Sequence, residues 1–292
     1  MKEIVILSGK GGTGKTTILS SFAVLAERTV LVDCDVDAAN LHLLLESEIE
    51  ERFDFWSGQT ASIDQDRCTD CGLCREYCRF EAIRNTTVDH FSCEGCGLCA
   101  RLCPSGAISM RDNLAGEWYR SRTRFGALFH ARLGIGEGNS GKLVALLRRE
   151  AMDLAESEGV DYLLCDGPPG IGCPVISSLS GADLAVLVTE PSFSGLHDLE
   201  RVNELCRHFK VPSMVCLNRS DLNEEIGERI EVFCREAGID LAAKIPYDTT
   251  VASSLAQGIP VVEYAQCEAG REIRALWERI RSEQFIFAKR EQ

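Results

Sequence analysis

Short, mostly apolar runs recur along this chain, each followed by a stretch whose apolar residues fall at helical spacing. The runs are Glu3–Ser8, Thr29–Asp33, Val160–Asp166, Ala182–Thr189, Pro212–Leu217 and Leu241–Pro246. Between them the spacing predicts helices over Gly14–Glu27, Ala38–Leu45, Gly141–Ser157, Leu196–Phe209, Glu224–Ala237 and Glu268–Glu283. In Gly141–Ser157, for example, Leu143, Leu146, Leu147, Met152 and Leu154 fall at helical spacing. Continuous apolar strands alternating with amphipathic helices are what a parallel sheet covered on both faces requires. The expected fold is therefore α/β, a doubly wound and mainly parallel sheet, with ligands at the carboxyl ends of its strands.

Residues 58–112 break the rhythm. They are rich in Cys and Gly and repeat internally: Cys-Thr-Asp-Cys-Gly-Leu-Cys from Cys68 returns as Cys-Glu-Gly-Cys-Gly-Leu-Cys from Cys93, each half ending in Ala-Ile. A segment this small buries little surface, so metal binding is expected to supply much of its folding free energy. The 292-residue chain thus divides into one discontinuous domain, 1–57 and 113–292, and an insert, 58–112.

Charge narrows the partners. With 31 basic against 45 acidic residues the net charge is −14, which disfavours nucleic acid. No window approaches the roughly 20 apolar residues of a membrane span, and the start of the chain lacks a signal-peptide pattern. A cytoplasmic location is expected, where 15 cysteines argue for metal ligation rather than disulfides.

Directly after the first strand comes Gly9-Lys10-Gly11-Gly12-Thr13-Gly14-Lys15-Thr16-Thr17. Gly-x4-Gly-Lys-Thr between a strand and a helix is a phosphate-binding loop: its amides and the helix N-terminus face the anion, Lys15 adds charge, and Thr16 offers its hydroxyl to Mg²⁺. Lys10 is the unusual member, because cradling a phosphate of its own subunit needs no second lysine. This loop resembles the deviant Walker A motif of the MinD/Mrp (ParA-type) ATPases. The resemblance implies that Lys10 reaches across an ATP-bound homodimer and acts in catalysis with Lys15. Val30–Asp37 resembles the switch I of that superfamily, with Asp35 as the residue that orients or deprotonates the attacking water. Asp33 and Asp166 are then expected near Mg²⁺ through water. Asp166-Gly-Pro-Pro-Gly170 is similar to switch II. Asn218-Arg219-Ser220-Asp221 and Ile245-Pro246-Tyr247-Asp248 resemble a base-binding edge. The first also resembles the guanine-reading Asn-Lys-x-Asp of GTPases, and the superfamily match favours ATP.

The insert matches bacterial ferredoxins with two clusters. In Cys-x2-Cys-x2-Cys a tight loop offers three thiolates, and the fourth comes from the other half of the repeat. Cys68, Cys71, Cys74 and Cys103 are expected to hold one 4Fe–4S cluster, and Cys93, Cys96, Cys99 and Cys78 the other. A zinc reading is weaker, since tetrahedral sites pair Cys-x2-Cys units. Pro104 follows Cys103 as in ferredoxins, whereas Arg79 follows Cys78, bringing a cation or simply pointing into solvent.

A subgroup of these ATPases with an inserted ferredoxin includes the orange-protein-complex ATPases, and Leu133–Lys142 and Gly170–Val175 look like its signatures. Asn139 and Ser140 are candidate caps for the helix that follows. Cys173, seven residues past Asp166, resembles a cluster-binding cysteine of the nitrogenase iron protein and is a candidate interface metal ligand; the alternative is a small packed residue. Leu276, Trp277, Ile280 and Phe285–Phe287 read better as a packed terminal helix than as a membrane anchor. Together these features imply an ATP- and Mg²⁺-dependent iron–sulfur protein that assembles or transfers a metallocofactor. Its partner would be a donor or acceptor metalloprotein, such as a small protein related to nitrogenase cofactor carriers. The rival readings are an ATP-dependent electron-transfer reductase and a MinD-like positioning ATPase with structural clusters.

Overall fold

The computed structural model describes residues 1–282. Glu283 and Phe285–Phe287 lie outside the described residues. Contacts divide the chain into two compact units: Met1–Arg52, Trp118–Arg132 and Ser140 onward form the first, and Phe53–Glu117 with Leu133–Asn139 the second.

The chain begins with β1 (Lys2–Ser8), α1 (Lys15–Leu25), β2 (Thr29–Asp33) and α2 (Leu41–Leu44), then enters the long strand β3 (Glu48–Ile63). The second unit follows with α3 (Leu73–Glu76), β4 (Ile83–Arg84), β5 (Thr87–Val88) and α4 (Leu98–Leu102), and β6 (Ile108–Thr123) and β7 (Gly126–Leu133) come next. The chain then alternates α5 (Ser140–Glu158), β8 (Tyr162–Pro169), α6 (Cys173–Leu179), β9 (Leu184–Thr189), α7 (Phe193–His208), β10 (Ser213–Asn218), α8 (Glu224–Ala237) and β11 (Asp240–Ile245). Helices α9 (Thr249–Ala256), α10 (Val261–Tyr264) and α11 (Glu268–Arg281) complete it.

The sheet runs β11-β10-β9-β1-β8-β2-β7-β6-β3. Strand β1 pairs in parallel with β8 and β9, β2 with β8 and β7, and β10 with β9 and β11. This is the expected doubly wound α/β architecture. Register places Asp33 opposite Asp166, so two carboxylates end neighbouring strands together. Ile4, Ile6, Leu31, Leu164 and Val186 of the sheet join Ile18, Leu19 and Phe22 of α1 in the main core, which also takes in Ile273, Leu276 and Trp277 of α11. Phe22 and Trp277 meet with ring centroids 5.0 Å apart. With Leu276, Trp277 and Ile280 all buried, α11 is a packed helix rather than a free amphipathic face. Among the described residues no helix is long and apolar enough to cross a membrane.

A buried ion pair ties β1 to the helices beside it. Arg148 of α5 binds the Glu3 carboxylate at 2.6 and 2.8 Å and donates to the Ser177 and Ser180 carbonyls. Arg148→Ala strands the Glu3 charge in the core and is expected to cost about 3–5 kcal/mol in urea unfolding. Pairing Arg148→Met with Glu3→Gln should recover most of that loss, since neither charge is then left unpaired.

The second unit has a small core of Ala61, Ile83, Val88 and Ile108. Gly72 (φ 78°) and Gly97 (φ 71°) precede α3 and α4 in the left-handed conformation that glycine adopts without strain. This unit takes in the 58–112 stretch, flanking residues and Leu133–Asn139. Two short helices, one hairpin and the ends of β3 and β6 are all its regular structure, so a ferredoxin fold is not evident from architecture alone.

Candidate functional site

The loop Gly9–Thr16 joins β1 to α1, aiming the helix N-terminus across the carboxyl edge of the sheet. Gly14 sits at φ 101°, a conformation that favours glycine, and a Cβ there would lie 2.5 Å from the Asn218 amide nitrogen and push that side chain aside. Asn218 Nδ2 donates to the Thr13 carbonyl at 2.7 Å and fixes the loop from β10. Lys10 is held on its own chain: its Nζ lies 2.5 Å from Glu190 Oε1 and donates to Ser194 and Ser192 at 3.3 and 3.4 Å. Glu190 also binds Arg219 at 2.9 Å. Burial disfavours the Glu190 charge, but Lys10 and Arg219 prevail and lower its pKa.

Three carboxylates sit beside the loop. Asp166 accepts from the Thr16 hydroxyl at 2.6 Å, while its buried Oδ1 has no partner among the described residues. Its pKa is pushed up to about 6, chiefly by burial. Asp33 is fully buried and accepts the backbone amides of Asp35, Asn40 and Leu41 at 3.0–3.1 Å, holding the segment after β2 against the strand's end. Burial, with help from the Asp166 charge, raises its pKa well above the ordinary carboxylate value. Asp35 is half-buried, its pKa raised by burial against the opposing pull of Lys15.

Lys15, Thr16, Thr17, Asp35, Asn218 and Arg219 line one cavity of about 550 Å³. Its far end is lined by Pro246 and Tyr247 and by apolar residues that the sequence did not single out: Leu43, Leu44, Val251, Leu255 and Ile273. Asp248 lines this end too, but its carboxylate caps α9 by accepting from Thr250 N at 2.9 Å. Asp221 accepts the Tyr247 amide at 2.6 Å. The Asp-Thr-Thr start of α9 was a readable capping signal. Glu190, the cis partner of Lys10, carried no motif.

The family model of the CobQ/CobB/MinD/ParA nucleotide binding domain matches residues 4–261. The chain belongs to this family. It is 31% identical over 282 residues to an uncharacterized protein of Methanocaldococcus jannaschii, covering 96% of each chain. An iron–sulfur cluster carrier protein of Pyrococcus horikoshii is 23% identical over 152 residues, 48% of this chain and 52% of that one. The septum site-determining protein MinD of Pyrococcus horikoshii, solved with Mg-ADP, superposes with a TM-score of 0.58 at 20% identity over 96% of each chain, a likeness of fold.

In this MinD/ParA-type ATPase the eight repeat cysteines gather at two places in the second unit. Cys78, Cys93, Cys96 and Cys99 line a cavity of about 110 Å³ with apolar neighbours that include Phe80, Ile83 and Met110. Cys68, Cys71, Cys74 and Cys103 line another, of about 20 Å³, with Thr69, Asn85 and Ser105. Among the described residues no three His, Cys, Asp or Glu side chains converge closely enough to hold a metal ion. Arg79 is exposed, its guanidinium 5.3 Å from the Phe80 ring centroid.

Cys173 is exposed at the start of α6. A Cβ on Gly141 would lie 3.0 Å from the Cys173 Cβ, so Gly141 lets the first turn of α5 pack against it. Asn139 has φ 71°, not the extended backbone of an N-cap, and Ser140 is already helical.

Proposed function

We propose that this ATPase binds Mg·ATP in the 550 Å³ cavity and closes into a homodimer around it. Closure then acts on two 4Fe–4S clusters in the second unit, for assembly or transfer of a cluster or other metallocofactor to a partner metalloprotein. The observation that carries this reading is the sorting of eight cysteines around two cavities, each uniting three cysteines of one half-repeat with the last cysteine of the other. That is the donor set a pair of 4Fe–4S cubes requires, and each thiolate of a cube binds a different iron, so the sulfurs need not converge on one point. The partial likeness to an iron–sulfur cluster carrier supports the same reading. Resident clusters that only carry electrons are the alternative, and stable iron retention in both nucleotide states distinguishes it.

At the nucleotide, Lys15 and the loop amides hold the phosphates, and Lys10 of one protomer serves the other. The unpaired, buried Asp166 Oδ1 beside the Thr16 hydroxyl fits a Mg²⁺ site, where the ion neutralises phosphate charge. Asp35 orients the attacking water. Asn218 donates to the Thr13 carbonyl, and Asp221 does not line the cavity, which supports adenine in its apolar end rather than a guanine read by an Asn–Asp pair. Cys173 is proposed as a labile metal ligand at the dimer interface.

Anaerobic reconstitution followed by iron and labile-sulfide counting tests the cluster reading; about eight irons per chain is expected. Zinc alone, or no inorganic sulfide, would refute it.

Asp166 gives a pH dependence. Its folded pKa of about 6 lies above the unfolded value near 3.8, so in the free protein it favours folding at low pH, and that contribution is lost as pH rises through about 6. Mg²⁺ needs the ionised form, so Mg·ATP affinity should fall about tenfold per pH unit below roughly pH 6. Calorimetric binding titrations from about pH 7 to 5 check this. A flat affinity would remove Asp166 from the metal site.

A further inference from the structure

The two cysteine sites are related by a 25-residue repeat, yet one pair of equivalent positions differs in a way that bears on electrons. Cys103 is followed two residues later by Ser105; at the equivalent place after Cys78 stands Phe80. The Ser105 hydroxyl lies 3.6 Å from the Cys103 sulfur, and the Ala107 amide donates to that sulfur at 3.3 Å. A thiolate only accepts, so with Cys103 ionised both contacts are donations to it. Around Cys78 the counterpart is a phenyl ring, which has no donor. Among the described residues no hydrogen bond reaches the Cys78 sulfur. The surroundings differ in part: Thr69, Asn85 and Thr86 join Ile63, Leu73 and Ile108 at the Cys103 site, whereas Phe80, Ile83 and Met110 line the other.

Hydrogen bonds to ligand sulfurs withdraw charge and favour the reduced cluster, and an apolar shell favours the less charged oxidised one. The nearby charges are Asp70 at the Cys103 cavity and the opposed pair Arg79 and Glu94 at the Cys78 cavity. All three are exposed and screened by water, whereas the two donors touch the Cys103 sulfur itself.

Resting on the reading that the second unit holds two 4Fe–4S clusters, we propose that Ser105 and Phe80 split their potentials. The Cys68–Cys71–Cys74–Cys103 cluster is then the higher-potential one. A one-electron donor such as dithionite reduces it first, one cluster gaining the electron that the donor loses. The Cys78 cluster is reduced only at lower potential, and an electron placed there passes to the Cys103 cluster. An electron delivered to either cluster therefore comes to rest at the Cys103 site.

Redox titration of the reconstituted protein, followed by paramagnetic resonance, reads this directly. Wild type should show two resolved one-electron steps. Ser105→Ala should move only the upper step down, by roughly tenfold in the reduced-to-oxidised ratio at fixed potential, or about 59 mV. Phe80→Ser should move only the lower step up, with eight irons kept in both variants. Coincident steps in wild type, no shift in Ser105→Ala, or equal shifts of both steps would overturn the assignment. An iron count far short of eight in wild type would defeat the parent reading, and this one with it.

Discussion

Lys10→Ala is expected to lower ATP turnover about 100-fold or more, as loss of one transition-state charge does, while Mg·ATP binding changes little. On this proposal binding within one subunit rests on Lys15, Thr16 and the loop amides, whereas the Lys10 ammonium bonds elsewhere in the free chain. There Lys10 is held by Glu190, Ser192 and Ser194, on the β9–α7 side of its own protomer. For Lys10 to reach a neighbour's nucleotide this contact must break, so its loss in the variant should not weaken nucleotide binding. Asp35→Ala should bind ATP and stay closed as a dimer, since the loop is intact and only the water-orienting carboxylate is gone. Single-turnover hydrolysis with sedimentation in Mg·ATP measures both. Turnover near wild type in either variant would contradict the assigned roles.

The second large effect concerns the crossed pairing of the cysteines. Cys103→Ala should empty the site of Cys68, Cys71 and Cys74, and Cys78→Ala the site of Cys93, Cys96 and Cys99, each leaving about four irons per chain. Sequence proximity alone would assign the losses the other way, Cys103 to the second half-repeat and Cys78 to the first. Resonance spectra of the remaining cluster tell these apart, because the polar and apolar cavities differ in what surrounds the sulfur. A variant of either cysteine that still holds eight irons would refute the pairing.

What could be read from the sequence follows from what each element buries. Strands β1, β2, β8, β9 and β10 are covered on both faces, so each announces itself as an apolar run. Strands β3 and β6 are not: β3 begins Glu-Ile-Glu-Glu-Arg-Phe-Asp and is mostly exposed, so only its place in the sheet makes it a strand. The phosphate loop and its carboxylates were legible because strand ends and spacing position them. The Lys10–Glu190 contact was not, because it joins residues 180 positions apart without a motif. Likewise the hydrogen bonds of the Asp33 carboxylate to the backbone amides of Asp35, Asn40 and Leu41 are a task that only the folded backbone reveals. The apolar end of the nucleotide cavity is assembled from α2, α9 and α11, which no local pattern connects.

The central claim is that nucleotide state governs the clusters. It is tested most directly by the rate at which reconstituted protein yields iron to excess bathophenanthroline, with and without Mg·ATP. The expected result is a rate that changes severalfold on adding Mg·ATP to wild type and stays constant in Lys10→Ala, which binds nucleotide without completing the partner's site. Identical rates in wild type with and without Mg·ATP would contradict the claim and leave the clusters as fixed parts of an ATPase that does not use them.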